Sequence, residues 1–138
     1  MDILIRKKTF IPVTTFDGEK IPCGDASFDT VLLVDMLHHT HDKMTVLREA
    51  RRVTRQCIII KDHITDRLFA TPVLRFMDWV GNARYHIPLT YSYWSARGWL
   101  EVFDALKLTA SALITDVGIY PPPADWLFGR SLQFIIRL

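Results

Sequence analysis

The chain has 138 residues, of which 49% are hydrophobic and 23% charged, the make-up of one packed domain rather than a disordered tail. Its formal charge of +2 gives no basic stretch of the kind that binds nucleic acid; the densest run, Arg48 to Arg55, carries Glu49 and reads as a solvated helix face. No apolar run reaches the roughly 20 residues of a membrane span, the start lacks a signal-peptide pattern, and Cys23 and Cys57 form neither a CxxC pair nor a disulfide framework. The expectation is a reduced, cytoplasmic protein with a single domain over residues 1–138.

A short apolar stub, Ile3 to Ile5, precedes Thr9-Phe10-Ile11-Pro12-Val13 and a turn-rich stretch from Asp17 to Asp25. Thr30 to Val34 is an unbroken apolar run, the pattern of a strand buried on both faces. Asp42 caps the next helix, which places Met44, Leu47, Ala50 and Val53 on one side. Cys57 to Ile60 is a second β-branched run, so strand, helix and strand predict a parallel βαβ unit. From Asp66 to Trp94 the pattern loosens into an aromatic-rich segment with Pro72, Gly81 and Pro88. Ser95 caps a helix with the stripe Trp99, Val102, Phe103 and Leu106, and strands follow near Leu108 to Thr115 and Leu132 to Leu138. Between them Pro121, Pro122 and Pro123 enforce a stiff loop.

The six glycines, at positions 18, 24, 81, 98, 118 and 129, are isolated from one another. Neither a GxGxxG dinucleotide turn nor a phosphate loop exists in this sequence. A dehydrogenase half-domain is therefore disfavoured.

Phe16-Asp17-Gly18, Ile21-Pro22, Asp25-Ala26-Ser27-Phe28-Asp29, Val31 to His39 and Leu47 to Val53 follow one another in an order that resembles class I S-adenosylmethionine-dependent methyltransferases, in particular the type 11 methyltransferase domain. The resemblance implies a Rossmann-like, doubly wound α/β sheet with helices on both faces and an antiparallel C-terminal strand. It also implies S-adenosyl-L-methionine as cofactor, bound across the carboxyl ends of the strands. By position, Asp2 ends the second strand and meets the ribose hydroxyls. Asp17 follows the third strand and sits near the adenine, flanked by Phe16 or Gly18. Val34, Asp35, Met36 and Leu37, with His38, face the methionine end. In the family a strand, a glycine-rich turn and a helix precede the position of Asp2, roughly 30 residues or more by the size of a βαβ unit. The chain is thus expected to be an N-terminally truncated methyltransferase, lacking the first strand and helix.

Methyl transfer from a sulfonium needs alignment of donor and acceptor and, for a hydroxyl or amine, a group to receive a proton. His38 and His39 are the candidates for that base; the alternative is that they pack at a strand-to-helix turn and bond to backbone. His38, His39 and His41 lack the spacing of a metal site, and no metal is expected. Asp17 is equally an Asp-Gly turn residue, and Asp2 equally a terminal residue without a role. Asp62 could orient His63 as a base, or belong to a rim charge pair. The aromatic segment either covers the cofactor crevice or forms a satellite core. The expected substrate is a small molecule, with no nucleic acid or membrane partner; the rival is a non-catalytic module that binds a partner through exposed sheet edges.

Overall fold

The structure is a computed structural model that describes residues 10–82, 89–129 and 131–138. Strand β1 (Phe28–Val34) leads through a one-turn 3₁₀ helix (Leu37–His39) to helix α1 (Lys43–Val53), and α1 passes directly into β2 (Thr54–His63). Helix α2 (Ala70–Asn82) and helix α3 (Ala96–Ala105) come next, then β3 (Ala112–Ile114) and β4 (Gln133–Arg137). The four strands lie in the order β1-β2-β4-β3. β1 and β2 are parallel, with Leu32 opposite Ile59 and Val34 opposite Lys61, and β4 runs antiparallel to both β2 and β3. This is the mixed α/β sheet with a reversed last strand that the sequence implied.

The core forms where the strand and helix periods meet. Leu33, Ile58, Ile60, Phe134 and Ile136 point to one face of the sheet, and Val46, Leu47 and Ala50 of α1 with Trp99 and Phe103 of α3 pack over it. Asp42 accepts the N–H of Thr45 at 3.0 Å and Ser95 accepts that of Gly98 at 3.2 Å, so both predicted caps end the helices where the sequence placed them. Glu49 and Arg52 of α1 hold the preceding loop: Glu49 accepts the Ile21 N–H, and Arg52 donates to the Ile21 and Cys23 carbonyls.

Three expectations need correction. β1 is buried on one face only, with Leu32 61% and Val34 54% exposed; no described element packs over that part of the sheet, and an apolar run cannot by itself say how many layers meet it. The described residues from Phe10 to Ser27 form no strand, apart from a single bridge position at Thr15, so Asp17 does not follow one there. The segment that appeared irregular contains α2. Pro72 sits in its first turn, where the missing N–H would have no intrahelical partner anyway.

Candidate functional site

The carboxyl ends of β1 and β2 carry the polar chemistry. After Val34, Asp35 adopts a left-handed backbone with φ of +48°, a conformation that Asp tolerates better than most residues. Its N–H donates to the Lys61 carbonyl at 2.8 Å, and its carboxylate accepts from Lys61 Nζ at 2.6 and 2.7 Å. The reversal drops Leu37 into the core and swings His38 over the end of β2, against Asp62.

Asp62 is the centre of this arrangement. It is 1% exposed and accepts three hydrogen bonds: from the His38 ring at Nδ1 (2.7 Å), the Leu37 N–H (3.2 Å) and the His63 N–H (2.8 Å). From the opposite side, α2 brings Asp78 to within 3.4 Å of His38 Nε2. Tyr93 donates its hydroxyl to the other oxygen of Asp78. The His39 ring lies 4.2 Å from that of His38, and the His63 ring meets it edge-on at 4.8 Å. Thr90 and the Ser92 N–H both donate to the His38 carbonyl, while Lys43 donates to Ser92 and sits 4.5 Å over the Trp94 ring. A cavity of about 220 Å³ opens here, walled by Asp35, His38, His39, Lys61, His63 and Asp78 among others.

The electrostatics follow from these neighbours. Burial disfavours a charged His38, but the bond to Asp62 and the proximity of Asp78 outweigh it, and its pKa is pushed up to about 9. Burial likewise opposes ionisation of Asp62 and Asp78, yet His38 holds both below the usual carboxylate range. Burial and Asp78 push the Tyr93 hydroxyl up, and burial pushes Lys43 down against the attraction of Asp62. At neutral pH His38 is thus an imidazolium between two carboxylates, with no lone pair to receive a proton.

The residues singled out in the sequence divide into groups. Asp35, His38 and His39 share the polar cavity. Phe16 and Met36 wall a separate apolar cavity of about 220 Å³ alongside β1. Val34 faces solvent, and Leu37 is wholly buried. Asp17 forms the turn that was its alternative reading: one carboxylate oxygen accepts the N–H groups of Glu19 and Lys20 at 2.8 and 3.0 Å, which holds its pKa down, and Gly18 takes the left-handed φ of +91° that the turn requires. Neither Asp17 nor Gly18 lines the two cavities just described. Asp2 lies outside the described residues. Asp62 binds the ring of His38 at 2.7 Å and also stands 3.5 Å from Nδ1 of His63, and Lys61 pairs with Asp35 at the strand end.

The sequence alone places Asp78 and Tyr93 only within the segment expected over the crevice and does not join them to His38. The signal available was the spacing of Ala70, Val73, Leu74 and Met77, which share one side of a helix and set Asp78 beside them.

Residues 3–57 match the family model of the methyltransferase domain. The sequence finds no match among curated proteins. Among solved structures, the chain is similar to one in the complex of the Haloferax volcanii Trm112 methyltransferase activator with a methyltransferase (TM-score 0.63, 18% identity, covering 90% of this chain and 59% of that one). It is also similar to a SAM-dependent methyltransferase of Thermotoga maritima (TM-score 0.62, 16% identity, 92% and 63%) and to a methyltransferase-like structure from Bacillus halodurans (TM-score 0.57, 14% identity, 92% and 73%). The chain spans less than two thirds of the length of the first and second of these.

Proposed function

The chain carries a methyltransferase-domain segment on a class I methyltransferase fold, and from that premise we propose that it is part of an S-adenosylmethionine-dependent methyltransferase acting on a small molecule. The observation that carries this reading is the strand end itself. The chain turns at a left-handed Asp35 after β1, and Met36 then lines an apolar cavity while His38 lines a polar one.

The residues fit such a cofactor on one side. Phe16 and Met36 offer apolar walls for a flat ring, and the Asp35 carboxylate at the strand end suits hydroxyl or ammonium groups. No glycine-rich turn of this sequence is available for the remainder. When bound, the cofactor supplies a methyl group on a sulfonium whose departure needs no acid. What remains for the protein is alignment and proton uptake. Asp17, Gly18, Val34 and Leu37 are assigned to the cofactor side with Phe16, Asp35 and Met36, Leu37 acting from within the core as support; Asp2 belongs to the same assignment.

His38 and His39 belong to the acceptor end. His38 is fixed by Asp62 and Asp78 and orients the cavity wall. His39, half-buried beside it, is the residue to receive the acceptor's proton. Isothermal titration with S-adenosylhomocysteine tests the proposal: saturable binding that weakens in Met36→Asp supports it, and no heat at high micromolar ligand overturns it.

A second reading, a partner-binding module, is favoured by one observation, the exposed apolar face of β1 at Leu32 and Val34. That a neighbouring fold occurs in a complex with an activator protein supports the same view.

A further inference from the structure

The His38–Asp78 approach has the wrong length for a good hydrogen bond and a suitable one for something else. His38 Nε2 and Asp78 Oδ1 are 3.4 Å apart, beyond the common N–H···O separation of about 2.9–3.0 Å. Two ligands of one tetrahedral zinc-like ion, each roughly 2.0–2.2 Å from it, stand about 3.3–3.5 Å from each other. His39 completes a set of three ligand atoms that all lie within 4.8 Å of one another. We propose that His38, His39 and Asp78 form a binding site for one divalent transition-metal ion, with zinc the best match to two imidazoles and a carboxylate.

Independent features support the assignment. Metal-binding imidazoles and carboxylates are commonly held from behind by a second hydrogen bond, and His38 and Asp78 are held so here. Asp62 accepts from His38 Nδ1 at 2.7 Å, which leaves Nε2 turned to Asp78, where an incoming ion takes the place of the Nε2 proton and releases it to solvent; Tyr93 donates to the Asp78 oxygen remote from His38. The three residues wall the polar cavity of about 220 Å³, which has room for an ion and several waters at roughly 30 Å³ each. His63 and Gln133 wall the same cavity, and their buried Nδ1 and Oε1 atoms have no hydrogen-bond partner among the described residues. Buried polar atoms in that condition call for water or a solvated ion nearby. Two side chains for the site come from one turn and the third from a helix forty positions on, which is why adjacent histidines alone gave no ligand spacing in the sequence.

The site goes beyond the methyltransferase reading and does not depend on cofactor binding. A bound ion would take His39 away from proton uptake and set a cation within reach of an acceptor oxygen, so the two readings fail separately: one in the S-adenosylhomocysteine titration, the other in the metal titration. The chelator-treated 138-residue chain is titrated with Zn²⁺ by calorimetry and with Co²⁺ by visible absorption, alongside His39→Ala, Asp78→Asn and His41→Ala, each checked for folding by circular dichroism. We expect one equivalent of metal, an affinity lower by ten- to a hundred-fold in His39→Ala and Asp78→Asn, and no change in His41→Ala, whose side chain lies outside the cluster. Tyr93→Phe, which keeps the ring and removes only the hydroxyl, should weaken binding by a smaller factor. Absence of micromolar binding, or equal binding by wild type and by folded His39→Ala and Asp78→Asn, overturns the proposal.

Discussion

Replacing Asp62 by Asn separates the charge of this buried carboxylate from its shape. The aspartate accepts three described hydrogen bonds, from the His38 ring and from the backbone of Leu37 and His63. An amide of the same size keeps one acceptor oxygen and turns an NH₂ group toward donors that previously met an anion. At least one donor is then left unsatisfied, at about 1–3 kcal/mol, and His38 loses its closest counter-charge. Removing one partner of a buried pair costs about 3–5 kcal/mol in comparable sites, and we expect that range here. With a urea dependence of about 1–3 kcal/mol per molar for small domains, the unfolding midpoint followed by far-ultraviolet circular dichroism should fall by one molar or more. Asp35→Asn is the internal contrast: its ion pair with Lys61 is just as short, but its side chain is 41% exposed, and such pairs contribute about 0–1 kcal/mol. A loss below about 1 kcal/mol in Asp62→Asn, or equal losses in the two variants, would refute the reasoning that burial and hydrogen-bond count set the difference.

Two further outcomes follow from other parts of the fold. The Arg52 guanidinium and the Ile21 N–H hold Glu49 down to about pKa 2 from an ordinary 4.5; because the folded form has the lower pKa, its stabilisation is complete above pH 4.5 and fades as pH falls from there towards 2. Glu49→Gln should therefore lower stability at pH 7 and flatten the acid limb of the stability profile, measured as urea midpoints across that window. Ser95→Ala removes the only side-chain cap described for α3 and should cost about 0.5–2 kcal/mol, whereas the conservative Ser95→Asp should retain most of it in the same assay.

What the sequence disclosed depended on whether the signal was local. The β1–α1–β2 unit was legible because its apolar runs and helical stripe are continuous and Asp42 marks the boundary. Ser95 marked α3 in the same way. Helix α2 was hidden because Pro72 and Gly81 read as breakers, although both fall in terminal turns where they do little harm. The one-sided burial of β1 could not be read from Leu32 and Val34, since hydrophobicity reports a preference and not what stands opposite. In the site, Asp35, His38 and His39 were picked out by their place after a strand. Asp78 and Tyr93 join them only through tertiary approach of α2 and the segment that precedes α3, a pairing with no fixed sequence offset.

The bonds to the His38 carbonyl bear on how this protein changes over generations. Thr90 and Ser92 grip that oxygen, Lys43 grips Ser92, and Tyr93 grips Asp78, which in turn faces the ring of the same histidine. Three separated stretches of chain are therefore laced to one residue. Drift at any of them alters what the others can accept, so these positions should vary together in descendants, whereas the bare flank of β1 is at liberty to diverge alone.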